Sequence, residues 1–268
     1  MRSILTAALA VILMAGWAVA GEKASEVTKP VTVVKDVPQE ETLVSMKTEV
    51  MSKFLDRSVL RNDDPVAKSD VRIDYKNFGL EFRGAMDLTD IHENGGDFTD
   101  IDLQFDYTFR VQKAAIQLGV IYYAYPNSDQ ESTEELFGKV SYDLGHGLTP
   151  YAALYWDFDE VDGLYGEVGV DHVLDLSNRI KLGPISSVKV KSHANVGLGS
   201  SDFNEYYHGV DDNGALDLKL GVGVEFGIGK MWTLMPNVEY YYMIDNDVDR
   251  GTDDDSGWIY GLSLGCKF

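Results

Sequence analysis

Charged side chains recur at every second position along much of this 268-residue chain. Examples are Lys47, Glu49 and Lys53, then Arg72 and Asp74, Glu81, Arg83 and Asp87, and Lys189 and Lys191. In an extended strand that spacing sets each group on one face, because successive side chains point to opposite sides. Rows of opposite charge have two uses. They can neutralise one another in a closed interior, or they can line a narrow aqueous path for ions and polar solutes. The lining candidates are Lys47, Arg72, Arg83, Asp102, Asp106, Glu167, Lys189, Lys191, Lys219, Glu225 and Glu239. Tyr123, Tyr151, Tyr155, Tyr165 and Tyr241 share this polar face, where they would offer stacking surfaces to a sugar or nucleoside or simply fill space.

Covalent chemistry finds less support. A nucleophilic serine needs an adjacent base, and His172 and Ser192 fall on the apolar face of neighbouring strands, as a lipid-modifying enzyme would require. Both lie toward the short-turn end, in the wrong leaflet for surface lipid, and no third group orients the histidine. His92, His146 and His208 have no partner at a metal-ligand spacing. Asp245, Asp247 and Asp249 resemble the start of a calcium loop, but Gly251 comes one place late and Ser256 stands where the bidentate glutamate belongs. Divalent cations bridging these acidic loops to lipopolysaccharide, and plain solvation of the loops, both stay open. The expectation is no catalytic site, no resident metal, no cofactor and no enzyme activity. The 44 acidic residues against 23 basic ones argue against nucleic acid as a partner, since phosphates would be repelled.

The elements that carry these faces are strands. From Leu43 onward, runs of ten to fourteen alternating residues are joined by connections that alternate between short and long. The runs are 43–55, 69–76, 78–89, 98–111, 114–125, 134–144, 149–158, 163–174, 186–199, 215–227, 231–244 and the closing stretch to Phe268. The first sets Val44, Met46, Val50 and Phe54 on the apolar face, and the tenth sets Leu216 there with Leu218 and Leu220. About twelve strands, apolar on one face and polar on the other, imply an all-β transmembrane antiparallel up-and-down barrel over residues 43–268, with lipid outside and a polar lumen. The long connections are acidic: 90–97, 127–135, 157–162, 200–213 and 245–256. The short ones lean basic, with Lys76, Lys113, Arg179, Lys181 and Lys230 in or beside them, and the connection around 175–185 breaks the alternation by being long for a turn.

Aromatic residues gather at both strand ends, as at two membrane–water interfaces. Tyr122, Tyr123, Tyr125, Tyr155, Trp156, Tyr240, Tyr242, Trp258 and Tyr260 lie toward the long loops, and Tyr75, Phe78, Tyr107, Phe109, Tyr142, Phe226, Trp232 and Phe268 toward the short turns.

Residues 1–20 combine an early arginine, an apolar run and the small-residue ending Ala18-Val19-Ala20, the pattern of a secretory signal peptide. Residues 21–42 are polar and aperiodic and are expected to form a flexible periplasmic tail. Cys266 is the one cysteine, so no internal disulfide can form.

FLDRSVLRNDDPV (54–66), GVIYYAYPN (119–127), YWDFDEVDGLYGEVGVDHVLDL (155–176) and the final GLSLGCKF are similar to segments of the TorF-type porins. The resemblance implies an outer-membrane barrel of a Gram-negative bacterium acting on small solutes. This chain has Arg57-Ser58 where that family would carry Arg-Gly, and its loops are more acidic. The expected function is a narrow channel for passive diffusion of small solutes, cation-leaning because acidic loops concentrate cations at the mouth. A non-conducting structural or adhesive barrel is the alternative. Expected partners are outer-membrane lipid, lipopolysaccharide and the barrel-assembly machinery. For the last of these, Tyr260, Leu262, Leu264 and the terminal Phe268 are the candidate signal, by resemblance to outer-membrane proteins. Deleting Phe268 is expected to lower the amount of protein inserted in the membrane fraction severalfold, while leaving the ion selectivity of inserted molecules unchanged in bilayer recordings.

Overall fold

The computed structural model describes residues 42–89, 95–128, 130–180, 183–244 and 255–268. The signal sequence, nearly all of the tail and the Asp245–Asp254 portion of the last acidic loop lie outside the described residues. In chain order the elements are β1 (Leu43–Met51), β2 (Phe54–Asp56), β3 (Val59–Asn62), β4 (Val66–Tyr75), β5 (Phe78–Asp87), β6 (Phe98–Val111) and β7 (Ala114–Ala124). They continue with β8 (Thr133–Tyr142), β9 (Leu148–Asp157), β10 (Leu164–Asp175), β11 (Ile185–Gly199), α1 (Ser201–His208), β12 (Gly214–Ile228), β13 (Trp232–Met243) and β14 (Ser256–Lys267).

Twelve strands form a closed antiparallel barrel in the order β1-β14-β13-β12-β11-β10-β9-β8-β7-β6-β5-β4. The ring closes where β1 pairs with β14, Met46 opposite Cys266 and Val50 opposite Leu262. A last bond from the Phe268 amide to the Val44 carbonyl, 2.9 Å long, ties the final residue into the seam. With an even strand count, Leu43 and Phe268 lie at the same rim as the short turns.

The outward face is apolar and uncovered. Met46, Leu80, Phe82, Leu103, Phe105, Leu118, Val120, Leu220, Val222 and Leu262 are each 43–52% exposed. In water each would forfeit roughly 25 cal/mol per Å² of apolar area left uncovered. A continuous band of such residues instead marks a transmembrane barrel facing lipid. Tyr122, Trp156, Tyr242, Trp258 and Tyr260 are exposed at the long-loop end, and Tyr75, Phe78, Phe109, Trp232 and Phe268 at the short-turn end.

The structure corrects the sequence expectation at four places. The first strand ends at Met51 rather than at residue 55, and the chain then makes a separate hairpin, β2 paired with β3. Phe54 is therefore not on the lipid face; it is buried inside with Val66 and Ala85. The connection 200–213 contains α1, capped by Ser200, whose hydroxyl accepts from the Phe203 amide at 3.3 Å. A register shift between β11 and β12 at Val196–Leu198 turns Leu216 inward, where it is fully buried. Tyr125, expected only in the outer aromatic belt, points inward and is buried, on the same face as Tyr123, which alternation already places on the polar side.

The hairpin turns at Arg57-Ser58, with φ of 45° and 69°. Two-residue hairpin loops favour positive φ at both positions and therefore asparagine or glycine, so Arg-Ser gives no turn signal. Each residue bears backbone strain of about 1–2 kcal/mol there. The Ser58 hydroxyl is in addition buried without a hydrogen-bond partner among the described residues. Replacing Ser58 with glycine is expected to stabilise the folded barrel by about 1 kcal/mol, read as a higher urea midpoint in detergent or lipid.

Candidate pore and its constriction

The alternation that sends apolar groups to lipid sends the charged rows inward. At the short-turn end of the bore, Arg72 on β4 spreads a fork across β6. Its Nη1 and Nη2 donate to Asp106 at 2.9 and 3.0 Å, while Nε reaches Asp74 at 3.0 Å and Nη1 lies 3.3 Å from Glu81. Gln104 donates to the same Asp106 at 2.9 Å. Gly79 is what lets the guanidinium lie flat against the wall, since a Cβ there would meet Arg72 Nη2 at 2.1 Å. Lys47 pairs with Glu49 at 3.1 Å and Asp70 at 3.4 Å, and Arg83 pairs with Asp102 at 3.0 Å.

The opposite wall is built similarly. Lys191 pairs with Glu225, and Lys189 stands in register between Asp175 and Glu225. His193 Nε2 lies 2.7 Å from Glu239, Glu167 accepts from Tyr151 and Asn195, and Lys219 lies 3.5 Å from Asp217. All eleven charged residues singled out in the sequence thus share the inward face, and ten of them have polar side-chain partners there. The interior is a lattice of fixed, paired charges rather than a row of free ones.

No local pattern announces what crosses the bore near the long-loop end. β1 and β9 are diametrically opposed in the ring of twelve. The β2–β3 hairpin leaves β1, lays Leu55 against Tyr241, Met243 and Ile259, and lays Phe54 against Val66 and Ala85. Asn62 anchors its return strand by donating to Asp87 at 2.6 Å. The tip then reaches the far wall. Arg57 donates to Glu135 and to the Tyr123 hydroxyl, and its guanidinium carbon lies 4.1 Å from the Tyr155 ring centroid and 5.8 Å from that of Tyr165. The Tyr123 hydroxyl in turn donates to Glu135 at 2.9 Å. Aromatic faces and one carboxylate are what a planar, delocalised cation needs once it leaves water.

The α1 helix completes this cap. Phe203 is buried with Val161, Tyr165 and Leu216, and Tyr207 packs on it with ring centroids 4.8 Å apart. Arg61 of the hairpin links the two inserts, 5.0 Å from the Tyr207 centroid and 5.2 Å from that of Tyr125, with a 2.8 Å bond to Gln130. The cavities follow from this packing. A space of about 760 Å³ opens at the short-turn end, lined by Arg72, Lys76, Arg110, Gln117, Lys139 and Ser141 among others. One of about 280 Å³ lies at the long-loop end beside Arg61, Asp87, Asp100 and Tyr125. A pocket of about 10 Å³, roughly one water's worth, lies beside the Arg57 tip between Tyr123, Glu135 and Tyr207. The tip crosses the bore from the β1 side to the β7–β10 wall.

Asp56, beside the tip and outside the spanning strands, would titrate higher through loss of water alone; Arg57, Lys68, Arg61 and Lys219 together hold it down at about 2. Its folded value lies below the ordinary 3.8, so its contribution to hairpin docking is complete above that pH and fades as pH falls toward 2.

His172 and Ser192 do pair directly across β10 and β11, but on the lipid face. The nearest carboxylate in sequence, Asp171, points the other way, into the bore opposite His193. No group of three metal-ligating side chains occurs among the described residues. The divalent-cation expectation for residues 245–254 falls outside them.

No family model matches the sequence, and no curated protein matches it. Solved structures do. The KdgM porin in complex with disordered oligogalacturonate superposes with a TM-score of 0.51 at 10% identity, over 84% of this chain and 99% of its own. The NanC porin gives a TM-score of 0.51 at 10% identity, over 84% of this chain and all of its own. LpxR from Salmonella typhimurium gives 0.49 at 11% identity, over 83% and 99%. Likeness at this identity shows the fold: this chain has the architecture of outer-membrane porins.

Removing one member of a buried ion pair strands the other, which costs about 3–5 kcal/mol. Arg57→Ala is expected to destabilise the barrel by that amount, and Arg57→Ala with Glu135→Gln by clearly less, in urea unfolding of the lipid-inserted protein.

Proposed function

We propose that this protein is an outer-membrane channel of a Gram-negative bacterium, of the TorF type, that passes small polar solutes by diffusion. The observation that carries this is a charged bore with cavities toward both rims, crossed at one level by a hairpin that folds inside the ring and is not part of the barrel wall. A structural barrel has no need of a 760 Å³ polar cavity. The charges Lys47, Arg72, Arg83, Asp102, Asp106, Glu167, Lys189, Lys191, Lys219, Glu225 and Glu239 line the route, all but Lys189 held by polar partners, so that a passing solute meets a polar wall of nearly constant shape. The hairpin is the gate. It is joined to the barrel by connecting residues at each end and contributes no strand to the ring, so it can shift without opening the wall.

Ion preference is set where solutes enter. The long-loop rim carries Asp63, Asp64, Asp97, Asp159, Asp162, Asp202 and Asp211, and a cluster of one sign raises the local concentration of the other. This favours cations from outside. Lipid and lipopolysaccharide surround the wall, and the exposed Tyr260, Leu262, Leu264 and Phe268 present the assembly signal on the seam strand. The 10%-identical KdgM porin in complex with an oligogalacturonate supports a solute in the bore of this fold and leaves the solute here to be found.

Planar-bilayer recording tests the proposal. The wild-type protein is expected to show small unitary currents with a reversal potential displaced toward the cation. Replacing residues 54–62 with a short glycine linker is expected to raise the unitary current severalfold. Silence in both would leave a non-conducting structural or adhesive barrel, and anion preference at neutral pH would overturn the assignment of the mouth.

A further inference from the structure

We infer that the cavity at the short-turn end is a binding site for small organic anions carrying two or three carboxylates. The protein as a whole is strongly acidic, with a formal net charge of −21. The lining of this cavity has the opposite sign: Arg72, Lys76, Arg110 and Lys139 against Asp74. Its volume of about 760 Å³ lies within the range of small-molecule sites, roughly 300–1,000 Å³.

The four cations differ in what they are free to do. Arg72 is committed to Asp106, Asp74 and Glu81, so it serves as wall. Arg110 and Lys139 have no carboxylate partner among the described residues. Lys139 is placed instead by the Tyr151 ring, its Nζ 4.1 Å from the centroid. Register sets these two charges around one gap. Arg110, Ala115 and Ser141 form one row across β6, β7 and β8, and Thr108, Gln117 and Lys139 form the next. Arg110 and Lys139 are therefore two strands and one row apart, about 12 Å at the backbone. Between them on β7, Ala115 has no side chain long enough to fill the space, while Gln117 and Ser141 offer hydrogen bonds. Two separated cations with polar donors between them match a polycarboxylate, whose charges are themselves spaced along a short carbon chain. A monovalent anion would engage one end only.

This deepens the channel reading by naming a solute class, yet binding can be measured without transport. Citrate is titrated calorimetrically into the folded full-length barrel in a neutral detergent at about 0.05 M salt, where screening is weak. The expected result is saturable binding of one citrate per barrel, weakened at least tenfold in Arg110→Gln/Lys139→Gln and unchanged in Lys230→Gln, which removes a charge elsewhere on the same rim. Heat-dependent gel mobility verifies that each variant is a folded barrel. Absence of saturable binding, or an equal loss in Lys230→Gln, overturns the inference. A silent bilayer with intact citrate binding would remove the channel and leave the site; a conducting barrel that ignores citrate would do the reverse.

Discussion

A strand edge in hydrocarbon has no water to satisfy its amides and carbonyls, each of which would cost several kcal/mol unpaired. The rest of this structure depends on meeting that constraint, and the β1–β14 seam is where it is met. Pairing runs from Ser45 opposite Lys267 to Met51 opposite Gly261, and the Phe268 amide continues the seam to Val44. Closure fixes the alternation of every strand at once. Once Leu262 and Val50 face lipid, Glu49 and Ser263 must face the bore, and the same holds around the ring. The polar interior is a geometric consequence of the apolar exterior.

That interior then has its own electrostatic problem, because charges withdrawn from bulk water need partners. The wall solves it locally, through pairs on adjacent strands such as Arg83 with Asp102 and Lys191 with Glu225, or one strand further on, as Arg72 with Asp106. The hairpin solves it across the full width of the barrel. Arg57 is carried from the β1 side to Glu135 and three tyrosines on the far wall, and α1 packs behind it through Phe203 and Tyr207. The same contacts hold the hairpin and α1 together as a cap across the long-loop end of the bore.

The two ends of the bore differ in sign. Acidic loops ring the capped end, while at the other Arg110 and Lys139 line the cavity with no carboxylate partner among the described residues.

How much was legible in advance divides along the range of the interactions involved. Period-two alternation is local, so the sequence by itself determined that the chain forms about twelve lipid-facing strands, which charged residues share the inward face, and which connections are long. Lys189 and Glu225 could be assigned to one face without any knowledge of their neighbours. Leu216 could not, because the pairing with β11 leaves an extra residue in β12 there, Leu216 and Asp217 standing opposite Gly197 alone, and a shift in pairing leaves no mark on either strand alone. The hairpin was hidden for a different reason: Arg57-Ser58 adopts positive φ without the glycine or asparagine that announces it, and Phe54 continues the alternation of β1 past its true end. Only the tertiary structure decided that these nine residues fold into the bore, because what holds them there, Glu135, Tyr123, Tyr155 and Tyr165, lies some 66 to 108 positions further along the chain. Contacts at that separation depend on closure of the ring, and closure is a property of all twelve strands together.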